Sequence, residues 1–188
     1  MIEKQNWNRR DFLFSVSGLL AGTCLNPNVT RLSFPFQQAE KLAEELSDEE
    51  AEWVKKSSMA REIMDYFGKG YSCAESILMV SLNHLELSEK FLWASCGFGG
   101  GMGKKDLCGL LTGGFMGLGF AAGEKAKERR EGKSLCSTAS DQYWKWWQSQ
   151  APLKCKNIRT PGTSSKVCRR LGLLAAVKVQ ELIEEMKV

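Results

Sequence analysis

The sequence predicts an all-α domain, a bundle of about four main helices with short loops and one buried, glycine-rich helix. Three observations point there. No stretch alternates apolar and polar residues with the period of two that a half-buried strand requires. Capping boxes stand at Ser47-Asp-Glu-Glu50 and Ser72-Cys-Ala-Glu75, where a serine and a glutamate three residues on satisfy each other's backbone donors. Near the C-terminus, Val167, Leu171, Ala175, Val179, Leu182 and Met186 recur at helical spacing.

Taken in order, residues 1–25 read as an address. Asn8-Arg9-Arg10-Asp11-Phe12-Leu13-Phe14 looks like a twin-arginine export signal, followed by a weakly apolar run to Leu25. That run is too short and too rich in Gly and Ser for a good membrane span. The expected route is export through the twin-arginine translocase to the periplasm, with an uncleaved signal as one way of remaining membrane-anchored. Cys24 belongs to this segment. Residues 26–46 form a linker whose end, Gln37 to Leu46, has helical character.

The domain spans 47–188. A helix is expected from Ser47 to about Phe67, ended by Gly68 and Gly70, and a second from Ser72 to about Leu85. A short third follows Ser88 to about Ala94. Asp106 is the expected cap of a fourth, Leu107 to Ala122. An aromatic fifth segment covers Ser140 to Ser149, and Ser164 or Ser165 opens the last, ending near Met186. The fourth carries no charge from Leu107 to Gly123, and glycines at 109, 113 and 117 put a smooth stripe on one face. Such a stripe lets another backbone come close. Tyr143-Trp-Lys-Trp-Trp147 reads as helix-packing core.

The chain has 188 residues, a net charge of +4, seven cysteines and one histidine. The basic run 124–133 mixes signs and reads as a solvated face, so nothing argues for nucleic acid. No C-x-x-C or C-x-x-C-H occurs, which removes a zinc ribbon, a thioredoxin-like pair and a c-type haem. An odd cysteine count fits a full set of disulfides poorly. Cys73, Cys108 and Cys168 fall near the starts of predicted helices, where free N–H groups and the helix dipole favour thiolate. Buried cysteine as a small apolar residue is the alternative. His84 lies eleven residues along the helix from Cys73, roughly 16 Å away, too far to share a centre; it reads as a structural or partly exposed histidine.

The order Ser72-Cys73-Ala74-Glu75, Gly97 to Gly103, Cys108-Gly-Leu-Leu-Thr-Gly113, Cys155, Cys168 resembles the C_GCAxxG_C_C family of redox-active proteins over about residues 55–185. Leu110 replaces the motif alanine, with crowding near Cys108 as the expected consequence. The cluster-binding part of split-Soret cytochromes c looks similar. The resemblance implies an iron–sulfur cluster, [2Fe–2S] or [4Fe–4S], held by Cys73, Cys108, Cys155 and Cys168, with Cys96 as a substitute ligand. Gly99, Gly100, Gly101 and Gly103 would bring backbone N–H groups to the cluster. A flexible connector, or an anion nest aided by Lys104 and Lys105, stays open for the same stretch.

The expected function is an exported electron-transfer protein with an unidentified redox partner, rather than a hydrolase or transferase; a homodimer is left open. A thiol–disulfide oxidoreductase using the same cysteines, and a zinc- or disulfide-stapled binding module, are the alternatives.

Overall fold

The computed structural model describes residues 46–161 and 164–186. The export signal, its cleavage, Cys24 and all of the linker but Leu46 lie outside the described residues. The fold class is all-α. Among the described residues there is no strand, only a single antiparallel bridge between Leu107 and Lys154.

The first capping box forms as expected: the Ser47 hydroxyl accepts from Glu50 N, and Ser47 N donates to the Glu50 carboxylate. The helix it opens is not continuous, however. It is α1 (Asp48–Lys56), and α2 (Ser58–Gly68) starts after a break at Ser57. Ser57 is extended (φ −87°, ψ 123°), and its hydroxyl accepts from Ala60 N. A serine competes for backbone donors, which is why it suits a cap better than a helix interior. The break is fixed from across the molecule: Gln180 Oε1 accepts from Ser57 Oγ at 2.7 Å and from Met59 N at 3.1 Å.

The second capping box also forms, and opens α3 (Cys73–His84). Ser88 caps the next segment by accepting from Lys90 N, but Glu89–Phe98 is a 3-10 helix that runs past the expected end at Ala94. A tight π-type turn, Gly101–Lys105, follows. Helix α4 is Gly109–Lys125, α5 is Arg129–Gln150, α6 is the single turn Cys155–Ile158, and α7 is Ser164–Glu185. Among the described residues, five helices of eleven residues or more build the bundle, in keeping with the about four main helices expected. The extra length lies in α5, which extends the aromatic segment back through part of the basic run to twenty-two residues.

Helix α4 is the centre, packed against α3, α5 and α7. Its glycine stripe does what the spacing predicts. A Cβ at Gly109 would meet Ala74 N at 3.0 Å, one at Gly113 Ala74 O at 2.5 Å, and one at Gly117 Ser81 Oγ at 2.5 Å. Bare backbone on α4 thus seats α3 along its length. Gly114, on the neighbouring face, lies under the Tyr143 ring. Tyr143 and Trp147 are fully buried, so the aromatic run is core as expected. Their polar atoms are satisfied: Tyr143 Oη donates to Leu110 O at 3.1 Å and Trp147 Nε1 to Pro152 O at 3.2 Å. Leu110 itself is buried in that core. His84 is half-buried at the far end of α3, with Nε2 3.7 Å from the Glu184 carboxylate. No described helix is long and apolar enough to cross a membrane.

Candidate thiol site

Two short backbone contacts build one side of the site. Cys108 N donates to Leu153 O at 2.9 Å, and Cys155 N donates to Asp106 O at 2.6 Å. Residues 106–108 and 153–155 therefore run antiparallel, which brings Cys108 and Cys155 together despite the forty-odd residues between them. This arrangement corrects the sequence expectation for Asp106. It does not open α4 but closes the Gly101–Lys105 turn, its N–H donating to Gly101 O; its carbonyl is spent on Cys155, and Cys108 is the N-cap of α4, with no side-chain capping bond. The cap offered by Asp106 gives way because a tertiary bridge takes its place.

Cys73 is the first residue of α3, directly after the capping Ser72. It is joined to the bridge through α4, since the Gly109 position lies against the Cys73 Cβ (3.2 Å for an added Cβ). Cys168 enters from α7 as its fifth residue and is hydrogen-bonded to Cys73. Cys155 is also a helix start, the first residue of α6, which the sequence did not reveal because α6 is a single turn.

Charge interactions link the four thiols pairwise. Five of the six pairings among Cys73, Cys108, Cys155 and Cys168 interact, all except Cys155 with Cys168. The hydrogen bond from Cys168 lowers Cys73 to about 7, aided by the Arg159 guanidinium. The same bond, with burial and the Cys73 charge, pushes Cys168 upward. Burial pushes Cys108 up to about 12. Burial and the Cys73 charge raise Cys155, against the pull of Arg159 and Lys105. One thiol is thus poised to ionise at neutral pH and three are held protonated until something positive arrives. As they stand, no three described His, Cys, Asp or Glu side chains close on a single metal ion.

The glycine link demands glycine for two reasons, close approach and left-handed backbone, and Gly101 (φ 65°) meets both. Gly99 and Gly101 are close approaches: an added Cβ would sit 2.5 Å from Ser72 Cβ in the first case, and 2.6 Å from Asp106 N and 2.9 Å from Cys155 Cβ in the second. Gly100 and Gly103 have open space but left-handed backbone, with φ of 60° and 65°. The link is therefore a shaped wall beside Cys155. Met102 and Lys105 share its left-handed conformation without being glycine, a sign that the surrounding structure enforces the turn.

Two further described thiols are Cys96 and Cys136. Cys96 is exposed and donates to Glu75 Oε1 at 3.3 Å, which ties it to the α3 cap beside Cys73. Cys136 sits on α5 near Ser140 and the Gly119 position. Arg159 is a residue the sequence reading missed. It interacts with Cys73, Cys155 and Cys168. Its position four residues after Cys155, one helical turn on, was the available signal.

A family model described as "Putative redox-active protein (C_GCAxxG_C_C)" matches residues 71–182, more than half of the chain. The chain belongs to this family. No curated protein and no solved structure matches it. The matched C_GCAxxG_C_C region begins just before the Ser72 cap and ends within α7, so it takes in all four clustered thiols and the glycine wall.

Proposed function

We propose that this redox-active protein is an electron carrier that holds an iron–sulfur cluster through Cys73, Cys108, Cys155 and Cys168. The observation that carries the reading is that thiols from four separate segments come within range of one another, Cys108 and Cys155 across the 106–108/153–155 bridge, Cys73 against the Gly109 position, and Cys168 beside Cys73. The donor set fits: thiolates are the usual ligands of such clusters. Arg159 and Lys105 supply positive charge that offsets the negative charge of a thiolate-held group. Gly101 and Gly99 keep the wall beside Cys155 and Ser72 free of side chains. When bound, the cluster supplies one-electron redox chemistry; the chain's own work is to hold, screen and charge-balance it. Anaerobic purification or reconstitution should give a brown protein with iron and inorganic sulfide and an electron paramagnetic resonance signal on reduction. Serine at any of the four cysteines should abolish it, and Cys136→Ser should not. A colourless protein without iron after reconstitution overturns the reading.

One observation favours a second reading. The Cys73–Cys168 hydrogen bond pairs a thiol at about 7 with a protonated partner, as in a dithiol oxidoreductase. There, Cys73 thiolate would attack one sulfur of an external disulfide and release a thiolate. Cys168, losing its proton, would displace the second. The products are a Cys73–Cys168 disulfide and two reduced external thiols. Loss of two titratable thiols per molecule on treatment with oxidised glutathione, in iron-free protein, marks this outcome.

Export belongs to the same proposal. The Arg9-Arg10 pair supports passage through the twin-arginine translocase. Replacing both with Lys should leave the protein in the cytoplasmic fraction, where the native chain reaches the periplasm.

A further inference from the structure

Away from the thiols, one face of the bundle is left uncovered. Helix α1 buries no residue fully, and its Trp53 is 48% exposed. Beside it runs a groove of about 810 Å³ between α1, α5 and α7, with Trp53, Trp146, Leu174 and Val177 as its apolar lining. Much of the polar lining is already paired. Ser57 Oγ donates to Gln180 Oε1 at 2.7 Å, Gln180 Nε2 donates to Glu184 Oε1 at 2.8 Å, and Lys178 Nζ lies 3.0 Å from the Glu181 carboxylate. What is left to cover is apolar. No lining residue is a thiol, so this face stands apart from the cluster reading.

The chain reaches this groove from its N-terminal side. Leu46 is half-buried and stands two residues before α1, whose Glu50, Trp53 and Lys56 line the groove. The segment before it, outside the described residues, has a pattern that matches. Ala39, Leu42, Ala43 and Leu46 recur at i, i+3, i+4 and i+7, with Glu40, Lys41, Glu44 and Glu45 between them. That is the sequence of a one-sided amphipathic helix. As a helix, residues 37–46 would be roughly 15 Å long, against roughly 14 Å for α1. Ser47 is extended (φ −65°, ψ 162°), so a helix ending at Leu46 must change direction there. A turn of two residues is enough to set two helices antiparallel.

We propose that residues 37–46 form a helix that folds back along α1 and lays its Ala39, Leu42, Ala43 and Leu46 stripe into this groove against Trp53. A segment tethered beside its own site binds at an effective concentration that a free partner would have to match. With the segment seated, the helical domain starts near residue 37, and the first twenty-five residues depart over this face rather than from Ser47.

The test is hydrogen exchange of the full native chain, read by mass spectrometry. A ten-residue helix is marginal by itself in water, so protection of 37–46 requires that its stripe be packed. Amides of 37–46 should exchange about tenfold or more slowly than in a free peptide of the same sequence. Leu42→Glu and Trp53→Ser, one on each side of the contact, should each bring them within about threefold of the free-peptide rate, with α4 amides unchanged. Lys41→Glu, on the polar face, should leave the protection in place. Free-peptide rates at 37–46 in the native chain overturn the proposal. Protection that survives Trp53→Ser also overturns it, because the segment then packs elsewhere. So does protection that vanishes on dilution, which marks a second copy in the groove. Trp53→Ser removes an exposed side chain, so a loss that spreads equally through α4 would count against the proposal as well.

Discussion

Cys73 and Cys168 are chemically alike in sequence and opposite in the fold. Their hydrogen bond favours thiolate at Cys73 and thiol at Cys168. In reduced, metal-free protein, the rate of Cys73 alkylation by iodoacetamide should therefore be half-maximal near pH 7. Cys168→Ala should move that midpoint up toward about 8.5, the ordinary thiol value. Stability follows with opposite signs. Cys73 has a lowered folded pKa, so its contribution is present above about pH 8.5 and is lost as pH falls through 7. Cys108, Cys155 and Cys168 are raised, so theirs is present below about pH 8.5 and is lost as pH rises. With one group against three, the urea midpoint of apoprotein should fall above about pH 8.5, and Cys108→Ala should flatten that fall. A midpoint that rises steadily to pH 10 would contradict the assignment.

Between helices, the decisive contact is α3 on α4. A Cβ at Gly113 would stand 2.4 Å from Ile77 Cγ2 and 2.5 Å from Ala74 O, and backbone cannot yield as a side-chain tip can. Gly113→Ala should cost about 1–3 kcal/mol in chemical denaturation. Gly123 is on the same helix with nothing within 4 Å. Gly123→Ala should stabilise by about 0.5–1 kcal/mol through propensity alone. Opposite signs for two identical substitutions ten residues apart on one helix would establish that α4 is glycine-rich for contact. The break at Ser57 makes a smaller prediction. Ser57→Ala removes both the Ala60 cap and the Gln180 bond, for a loss of about 1 kcal/mol.

At the scale of the molecule, the thiol site borders the apolar core, and Cys108 belongs to both while Cys73 is only packed against it. The apolar core runs through Ile63, Leu118, Tyr143, Trp147 and Leu171, all fully buried. The thiols sit at helix starts and on the bridge. Cys73→Ser should therefore keep a native-like helical circular dichroism spectrum while losing any bound cluster. The loaded native protein should melt above its apoprotein by mass action, and the variant should show no such gain on reconstitution. A variant that unfolds outright would mean the thiols are structural.

Helix starts at Ser47, Ser72 and Ser88 were legible because a capping serine acts over three or four residues of its own chain. The smooth face of α4 was legible because a four-residue repeat is a local fact that any helix turns into a stripe. The break at Ser57 was not, since it depends on Gln180, more than a hundred residues away. Nor was the role of Asp106, whose carbonyl could satisfy a local helix or a distant amide, and meets Cys155. The placing of Arg159 among three thiols is of the same kind. Sequence by itself determined the all-α class, the local caps and the supply of thiols, because these follow from near neighbours and composition. Only the tertiary structure decided that four of those thiols come within range of one another, and which of them carries the charge, because burial and mutual repulsion exist only once distant segments meet.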